Sequence, residues 1–184
     1  MKTEETQVCE IDSNMLENYL KYSYPKDFDC GLEGMNKYFK ENLKRALKSK
    51  NVSAIGAIAP NGDVAGFITL TFTDIEKKKV DHVITDSNLL PNIAVMRIVM
   101  FGVDSKFQGL GIGQELLKKA FQQAALVHKQ VPLKGIYLDA APRAVSLYES
   151  IGFEALGEPD QDGSTPMIVG INVVVQSVES VTEQ

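Results

Sequence analysis

The stretch from Asn92 to His128 constrains this chain more than any other. Asn92 to Asp104 (NIAVMRIVMFGVD) is an almost unbroken apolar run, the pattern of a strand buried on both faces. Gln108-Gly109-Leu110-Gly111-Ile112-Gly113 follows, and then an amphipathic helix from Gln114 to His128 that turns Leu117, Phe121, Ala124 and Ala125 inward. Glycines at alternate positions remove the side chains that would block close backbone approach. They also permit positive φ, so that successive amide hydrogens can point at one anion. The helix start adds unpaired N–H groups and the positive end of its dipole. A phosphate or pyrophosphate is the natural guest of such a turn.

Two other phosphate loops compete for this reading. The nucleoside-triphosphate loop needs Lys and Ser/Thr after its last glycine, whereas Gln114 and Glu115 follow Gly113. The dinucleotide fingerprint needs its third glycine one position later than Gly113, and Asp139 matches its acidic residue only loosely. Taken alone, the turn also admits a bland role, glycines that merely redirect a strand into a helix.

The remaining elements set the fold class. Glu33 to Lys50 carries Met35, Tyr38, Phe39, Leu43, Ala46 and Leu47 at helical spacing. Val52–Ala59 and Val64–Thr73 are β-rich runs around the turn residues Asn61-Gly62-Asp63. Gly135–Ala140 reads as a strand, and Pro142–Ser150 as a short helix with proline in its first turn. Phe153–Leu156 and Met167–Val178 read as closing strands around a polar loop from Gly157 to Pro166. Hairpins together with a strand–helix–strand crossover imply an α+β chain with a mixed sheet. Residues 1–184 are expected to form one domain, a length sufficient for a single core. The crossover makes Asn92–Asp104 and Gly135–Ala140 parallel neighbours, and ligands favour the carboxyl ends of such strands.

Composition narrows the function classes. Apolar residues make up 44% and charged residues 23%, values of a soluble globular protein. Cys9 and Cys30 are read as reduced thiols, and His82 and His128 have no neighbouring partner at metal-ligand spacing, so no metal is expected. The polar, acidic opening MKTEETQVCEID does not resemble a secretory signal, and Pro60-Asn61-Gly62-Asp63 breaks the longest apolar stretch. No membrane association is expected, and the cytoplasm is the expected compartment. The net charge of −5 argues against coating nucleic acid by overall charge. Yet Lys37, Lys40, Lys44, Arg45, Lys48 and Lys50 crowd one segment, either as a solvated helix face or as a local landing surface for an anion. A second cluster is Lys77-Lys78-Lys79, and acidic residues including Glu179 and Glu183 gather near the other end of the chain.

Val103-Asp104-Ser105-Lys106-Phe107-Gln108-Gly109-Leu110-Gly111-Ile112-Gly113 resembles the acetyl-CoA signature of the GNAT acetyltransferases, Gln/Arg-x-x-Gly-x-Gly/Ala after a strand ending in Val-Asp. Ala144-Val145-Ser146-Leu147-Tyr148-Glu149-Ser150-Ile151-Gly152-Phe153 is similar to the family's Ala-x-x-Phe/Leu-Tyr-x-x-x-Gly-Phe segment. The two signatures lie in the right order on the right elements, and the acetyl-CoA core they mark spans about residues 93–156. The resemblance implies a central mixed, mostly antiparallel sheet with splayed strands, flanking helices, and acetyl-CoA as co-substrate. It implies that main-chain groups of Phe101, Gly102 and Val103 bind the pantetheine arm. It further implies that Gln108, Gly109, Leu110, Gly111, Ile112 and Gly113 hold the pyrophosphate, with Gln114 beside them.

For the chemistry, a neutral amine must attack the thioester carbonyl and the departing thiolate must be protonated. Tyr148 matches the family's usual general acid, and a phenol with an ordinary pKa of about 10 keeps its proton at neutral pH. The alternative for Tyr148 is a core aromatic. No general base stands out: Asp74, Glu76, His82 and Asp139 are candidates. An acceptor with an α-amine, of pKa about 7–8, suits an enzyme without a dedicated base.

Phe28-Asp29-Cys30-Gly31 followed by Met35-Asn36-Lys37-Tyr38-Phe39 is similar to the opening of the toxin-type members of the family. That similarity implies an aminoacyl-tRNA acceptor, tRNA contact through the Lys37–Lys50 helix, and an antitoxin partner. An N-acetyltransferase for a small polyamine-like or protein amine is a second reading, and a non-catalytic acyl-CoA-binding module a third. A homodimer is a further expectation.

Overall fold

A computed structural model describes residues 6–11 and 27–182. The first residues of the acidic opening and Glu183 therefore lie outside the described residues. The elements in chain order are β1 (Gln7–Ile11), α1 (Glu33–Lys37), a π-turn (Tyr38–Asn42), α2 (Leu43–Lys48), β2 (Ser53–Ile58), β3 (Val64–Glu76) and β4 (Asn92–Val103). After them come α3 (Ile112–His128), β5 (Gly135–Ala140), α4 (Val145–Ser150), β6 (Glu154–Ala155), β7 (Thr165–Gly170) and α5 (Ile171–Thr182). Short 3-10 turns sit at Lys77–Lys79, Ser105–Phe107 and Pro142–Ala144.

The expected mixed sheet is present, with its strands in the order β1-β2-β3-β4-β5-β7-β6. The β1–β2, β2–β3, β5–β7 and β6–β7 pairs are antiparallel, whereas β4 and β5 are parallel, Met96 opposite Ile136 and Arg97 opposite Tyr137. The hairpin between β2 and β3 closes as its turn residues dictate: Gly62 takes φ +87° and the Ala59 amide donates to Asp63 O at 2.8 Å.

The chain divides into two compact units. The first holds the residues up to Thr71 together with Met100–Ala120. Its core gathers Ile11, Phe28, Phe39, Leu43 and Phe67, and the ring centroids of Phe39 and Phe67 lie 4.3 Å apart. The helix read as continuous from Glu33 to Lys50 is interrupted by the π-turn, where the Leu43 amide donates to Tyr38 O. Phe39, Leu43 and Leu47, spaced by four, are buried, and a wider turn keeps such a row on one face. The second unit holds Phe72–Val99 and Phe121–Gln184, with Ile75, Val80, Ile93, Val95 and Ile168 in its core.

Two expectations fail. β1 (QVCEI) is missing from the sequence reading, since so short a segment shows little periodicity. The strand read from Met167 to Val178 ends at Gly170, and Ile171–Thr182 is helical. The β-branched run Ile171-Asn172-Val173-Val174-Val175 favours strand locally, but Ile171 and Val174 are buried and Val175 and Val178 half-buried at helical spacing. Packing of that face overrides propensity.

Candidate functional site

In the first unit, β4 delivers the chain into the glycine turn. Gly109 and Gly111 take φ +78° and +80°, the left-handed region in which side chains are strained, and a Cβ on either would meet open space. Gly113 has a different role. It lies in the first turn of α3, where a Cβ would come within 3.3 Å of the Phe101 ring and 3.6 Å of Val103. Its missing side chain lets the helix start settle on the end of β4. The helix begins at Ile112, slightly before the expected Gln114, and Gln114 is exposed. Leu110 is exposed and Ile112 buried. The turn thus combines left-handed backbone, open space at both glycines and a helix N-terminus, the combination that suits an anion.

The side chain of Gln108 folds back along the strand. Its Nε2 donates to Val103 O at 2.9 Å and to Cys30 O at 3.4 Å, so the amide braces the turn. Gly102 packs closely against side chains: an added Cβ would lie 2.7 Å from Met35 Sδ and 3.3 Å from Cys30 Sγ. Phe101 and Val103 flank it, half-buried. Phe101, Gly102, Val103 and the residues from Gln108 to Gln114 are therefore neighbours in one unit.

A polar brace that sequence reasoning missed holds the turn in place. Asp104 is 4% exposed. Its Oδ2 accepts from the Asp29 amide at 3.0 Å and its Oδ1 from the Lys106 amide at 2.9 Å. Asp29 Oδ1 in turn accepts from Gly31 N and Asn36 Nδ2, which hold its carboxyl below the usual range. Asn36 Oδ1 accepts from the Cys30 amide at 2.9 Å. The motif Phe28-Asp29-Cys30-Gly31 with Asn36 is the other half of this brace. On the adjoining α1–α2 segment, Lys37, Lys44, Arg45, Lys48 and Lys50 are exposed.

In the second unit, α4 carries Tyr148, 6% exposed, with its ring edge-on to Phe153 at 5.5 Å. Burial pushes its phenol up to about 12, so it holds its proton at neutral pH. The same unit contains a cavity of about 610 Å3 lined by Asp74, Glu76, Arg97, Tyr137, Asp139 and Asp160 among others. Asp139 is engaged at both oxygens: Arg97 Nη2 donates to Oδ2 at 2.9 Å and Tyr137 OH to Oδ1 at 2.6 Å. Burial, followed by the Asp139 hydrogen bond, raises the Tyr137 phenol. Among the proposed bases, Glu76 is held low by its hydrogen bond from Lys78 at 2.7 Å. His82 is exposed, with Nε2 3.4 Å from Ala155 O. The structure thus brings Asp74, Glu76 and Asp139 to one cavity and leaves His82 outside its lining. His128 accepts the Leu133 amide on Nδ1 at 3.0 Å, a structural role. Among the described residues no group of three or more His, Cys, Asp or Glu side chains is placed to hold a metal, and no helix is long and apolar enough to cross a membrane.

Comparison with known proteins agrees with this geometry. The acetyltransferase (GNAT) domain family matches residues 31–168. A crystal structure of a bacterial toxin superposes with a TM-score of 0.87 at 31% identity, over 95% of this chain and 96% of that one. AtaT complexed with acetyl-methionyl-tRNAfMet has a TM-score of 0.75 at 20% identity, over 97% and 99% of the two chains. An AtaT mutant toxin bound to the C-terminus of the antitoxin AtaR has a TM-score of 0.74 at 20% identity, over 98% and 100%. The spermine/spermidine N(1)-acetyltransferase of Bacillus subtilis (strain 168) is 35% identical over 71 residues, 37% of this chain and 45% of that protein, so the match spans less than half of the relative's length. A fold with seven strands in mixed order, a glycine turn at the head of α3 and a family match over most of the chain place the protein among the GNAT N-acetyltransferases, whose co-substrate is acetyl-CoA.

Proposed function

We propose that the protein moves the acetyl group of acetyl-CoA onto the α-amine of an aminoacyl-tRNA, by direct attack of the amine on the thioester. The left-handed turn at Gly109 and Gly111 carries this reading, because positive φ at the head of α3 is the backbone conformation that lets successive main-chain amides face a diphosphate. Main-chain groups of Phe101, Gly102 and Val103 bind the pantetheine arm, and the amides from Gln108 to Gln114 bind the pyrophosphate. The C–S bond breaks as the C–N bond forms, and Tyr148, protonated at neutral pH, gives its proton to the departing thiolate. The proton lost by the amine goes to solvent, since an α-amine of pKa about 7–8 is substantially neutral at physiological pH.

The acceptor class rests on the exposed cations of the α1–α2 segment, which suit tRNA phosphates, and on likeness to a toxin at 31% identity. In this reading one GNAT domain spans residues 1–184, acts in the cytoplasm and is restrained by an antitoxin, as the AtaT–AtaR pair suggests by analogy. A homodimer is the proposed assembly.

A specific observation favours a second reading. The cavity of the second unit sets Asp74, Glu76, Asp139 and Asp160 against Lys79 and Arg97, a lining with an excess of carboxylates that suits a polycationic acceptor such as a polyamine. An acceptor screen with radiolabelled acetyl-CoA, offering bulk aminoacylated tRNA, spermidine and peptides, separates the two. Label on tRNA supports the first reading, label on spermidine replaces it with the second, and no transfer to any amine favours an acyl-CoA-binding module.

A further inference from the structure

Thr69 is a buried polar side chain to which the reading above gives no task. It lies on β3 between the buried Ile68 and Leu70 and is itself 0% exposed. A hydroxyl in such surroundings is unfavourable unless it is hydrogen-bonded. Thr69 has such a partner: its Oγ1 accepts from the Met100 amide at 3.0 Å. The phenol of Tyr38 lies beside the hydroxyl. Tyr38 is half-buried and opens the π-turn of the basic segment. Met100 immediately precedes Phe101, Gly102 and Val103 on β4.

A side-chain hydroxyl thus fixes a strand amide where cofactor-binding main chain begins. Main chain that holds a thioester must be placed to within about an ångström for the attack geometry to be productive. The Met100 amide is anchored immediately before that segment, and Val103 O and the Asp104 amide are held just after it. Gly102 between them has no side chain to add a further anchor.

We propose that Thr69 is a positioning residue for acetyl transfer, its hydroxyl aligning Met100 and through it the main chain of Phe101–Val103. The inference rests on the cofactor reading above, because it gives Thr69 meaning only if those three residues bind the pantetheine arm.

Thr69→Val keeps the shape and removes the acceptor, whereas Thr69→Ser keeps the oxygen and removes a methyl. Turnover is read from thiol release with bulk aminoacylated tRNA and with spermidine, coenzyme A affinity from calorimetry, and folding from melting curves. The expected result is a fall in kcat of about tenfold for Thr69→Val, with coenzyme A affinity within about twofold of wild type and near-normal turnover in Thr69→Ser. Wild-type kcat in the valine variant overturns the inference. An equal loss in the serine variant also overturns it, since volume rather than the hydroxyl would then matter. Collapse of coenzyme A affinity together with kcat overturns it as well, as general disruption. Wild-type protein that binds no acetyl-CoA defeats the cofactor reading first and this inference with it. Should the valine variant not fold, Thr69→Ala replaces it: a fall in kcat of about tenfold with coenzyme A affinity retained supports the inference and unchanged kcat overturns it.

Discussion

The carboxylate of Asp104 accepts the backbone amide of Asp29 at 3.0 Å, across 75 positions of sequence. This contact ties the segment before α1 to the residue that opens the glycine turn. The Ser105 amide returns the tie, donating to Asp29 O at 2.8 Å. The glycine turn and the segment leading into the basic helices therefore share one polar brace.

Asp104→Ala should be costly, because it strips the acceptor from the amides of Asp29 and Lys106 in a site that is 4% exposed. A loss of about 2–4 kcal/mol is expected, summing the desolvation of two amides left without partners. Urea unfolding measures it. A loss under about 0.5 kcal/mol would show that water replaces the carboxylate and that the brace is dispensable.

Gly111→Val should leave the fold standing while abolishing cofactor binding. A Cβ at Gly111 meets nothing within 4 Å, so the cost is backbone strain at φ +80°, about 1–2 kcal/mol. The turn is expected to relax toward negative φ and turn its amides away. Melting temperature checks the first half of this expectation and coenzyme A titration the second; unchanged affinity counts against the turn as the diphosphate site.

Tyr148→Phe is expected to lower kcat by about 10²-fold with coenzyme A affinity retained, the signature of a lost proton donor. Steady-state kinetics with the acceptor found in the screen decides it. Turnover at the wild-type rate would leave Tyr148 as a core aromatic packed on Phe153.

Alkaline stability should report the same phenol. Burial raises Tyr148 to about 12 in the fold, whereas the unfolded chain ionises near 10. Above pH 10 the unfolded state loses its proton first, so stability is fully present below about pH 10 and falls as pH rises toward 12, by up to about 2–3 kcal/mol. Tyr38 and Tyr137 are raised by burial too and act in the same direction. Urea midpoints at pH 9 and pH 11.5 measure the loss, which should be smaller in Tyr148→Phe.

The parts of the fold legible in the sequence are those written in local chemistry. Gly109 and Gly111 announce a left-handed turn because few other residues accept positive φ, and Asn61-Gly62-Asp63 announces its hairpin for the same reason. The run from Asn92 to Asp104 reads as a buried strand from its own residues. What was missed depends on distance or on competition. Nothing in the sequence pairs Asp29 with Asp104, and the amide of the exposed Gln108 could as well have faced a phosphate as Val103 O. At Ile171–Thr182 two signals conflict, β-branching against the spacing of Ile171, Val174, Val175 and Val178, and the spacing wins because it is the face that packs. Thr69 looked like one more strand residue in VAGFITLTFTD; only its depth and its bond to Met100 set it apart.

The central claim is that main-chain amides of the Gly109–Gly113 turn hold the diphosphate of acetyl-CoA. It is tested by calorimetry of the wild-type and Gly111→Val proteins with acetyl-CoA and with acetyl-pantetheine, which keeps the thioester and lacks the diphosphate together with its nucleoside. The glycine variant isolates the share that belongs to the turn. The account predicts binding weaker by about a hundredfold or more for acetyl-pantetheine, and a difference that largely disappears in Gly111→Val. Equal affinities for the two thioesters in the wild-type protein would contradict it.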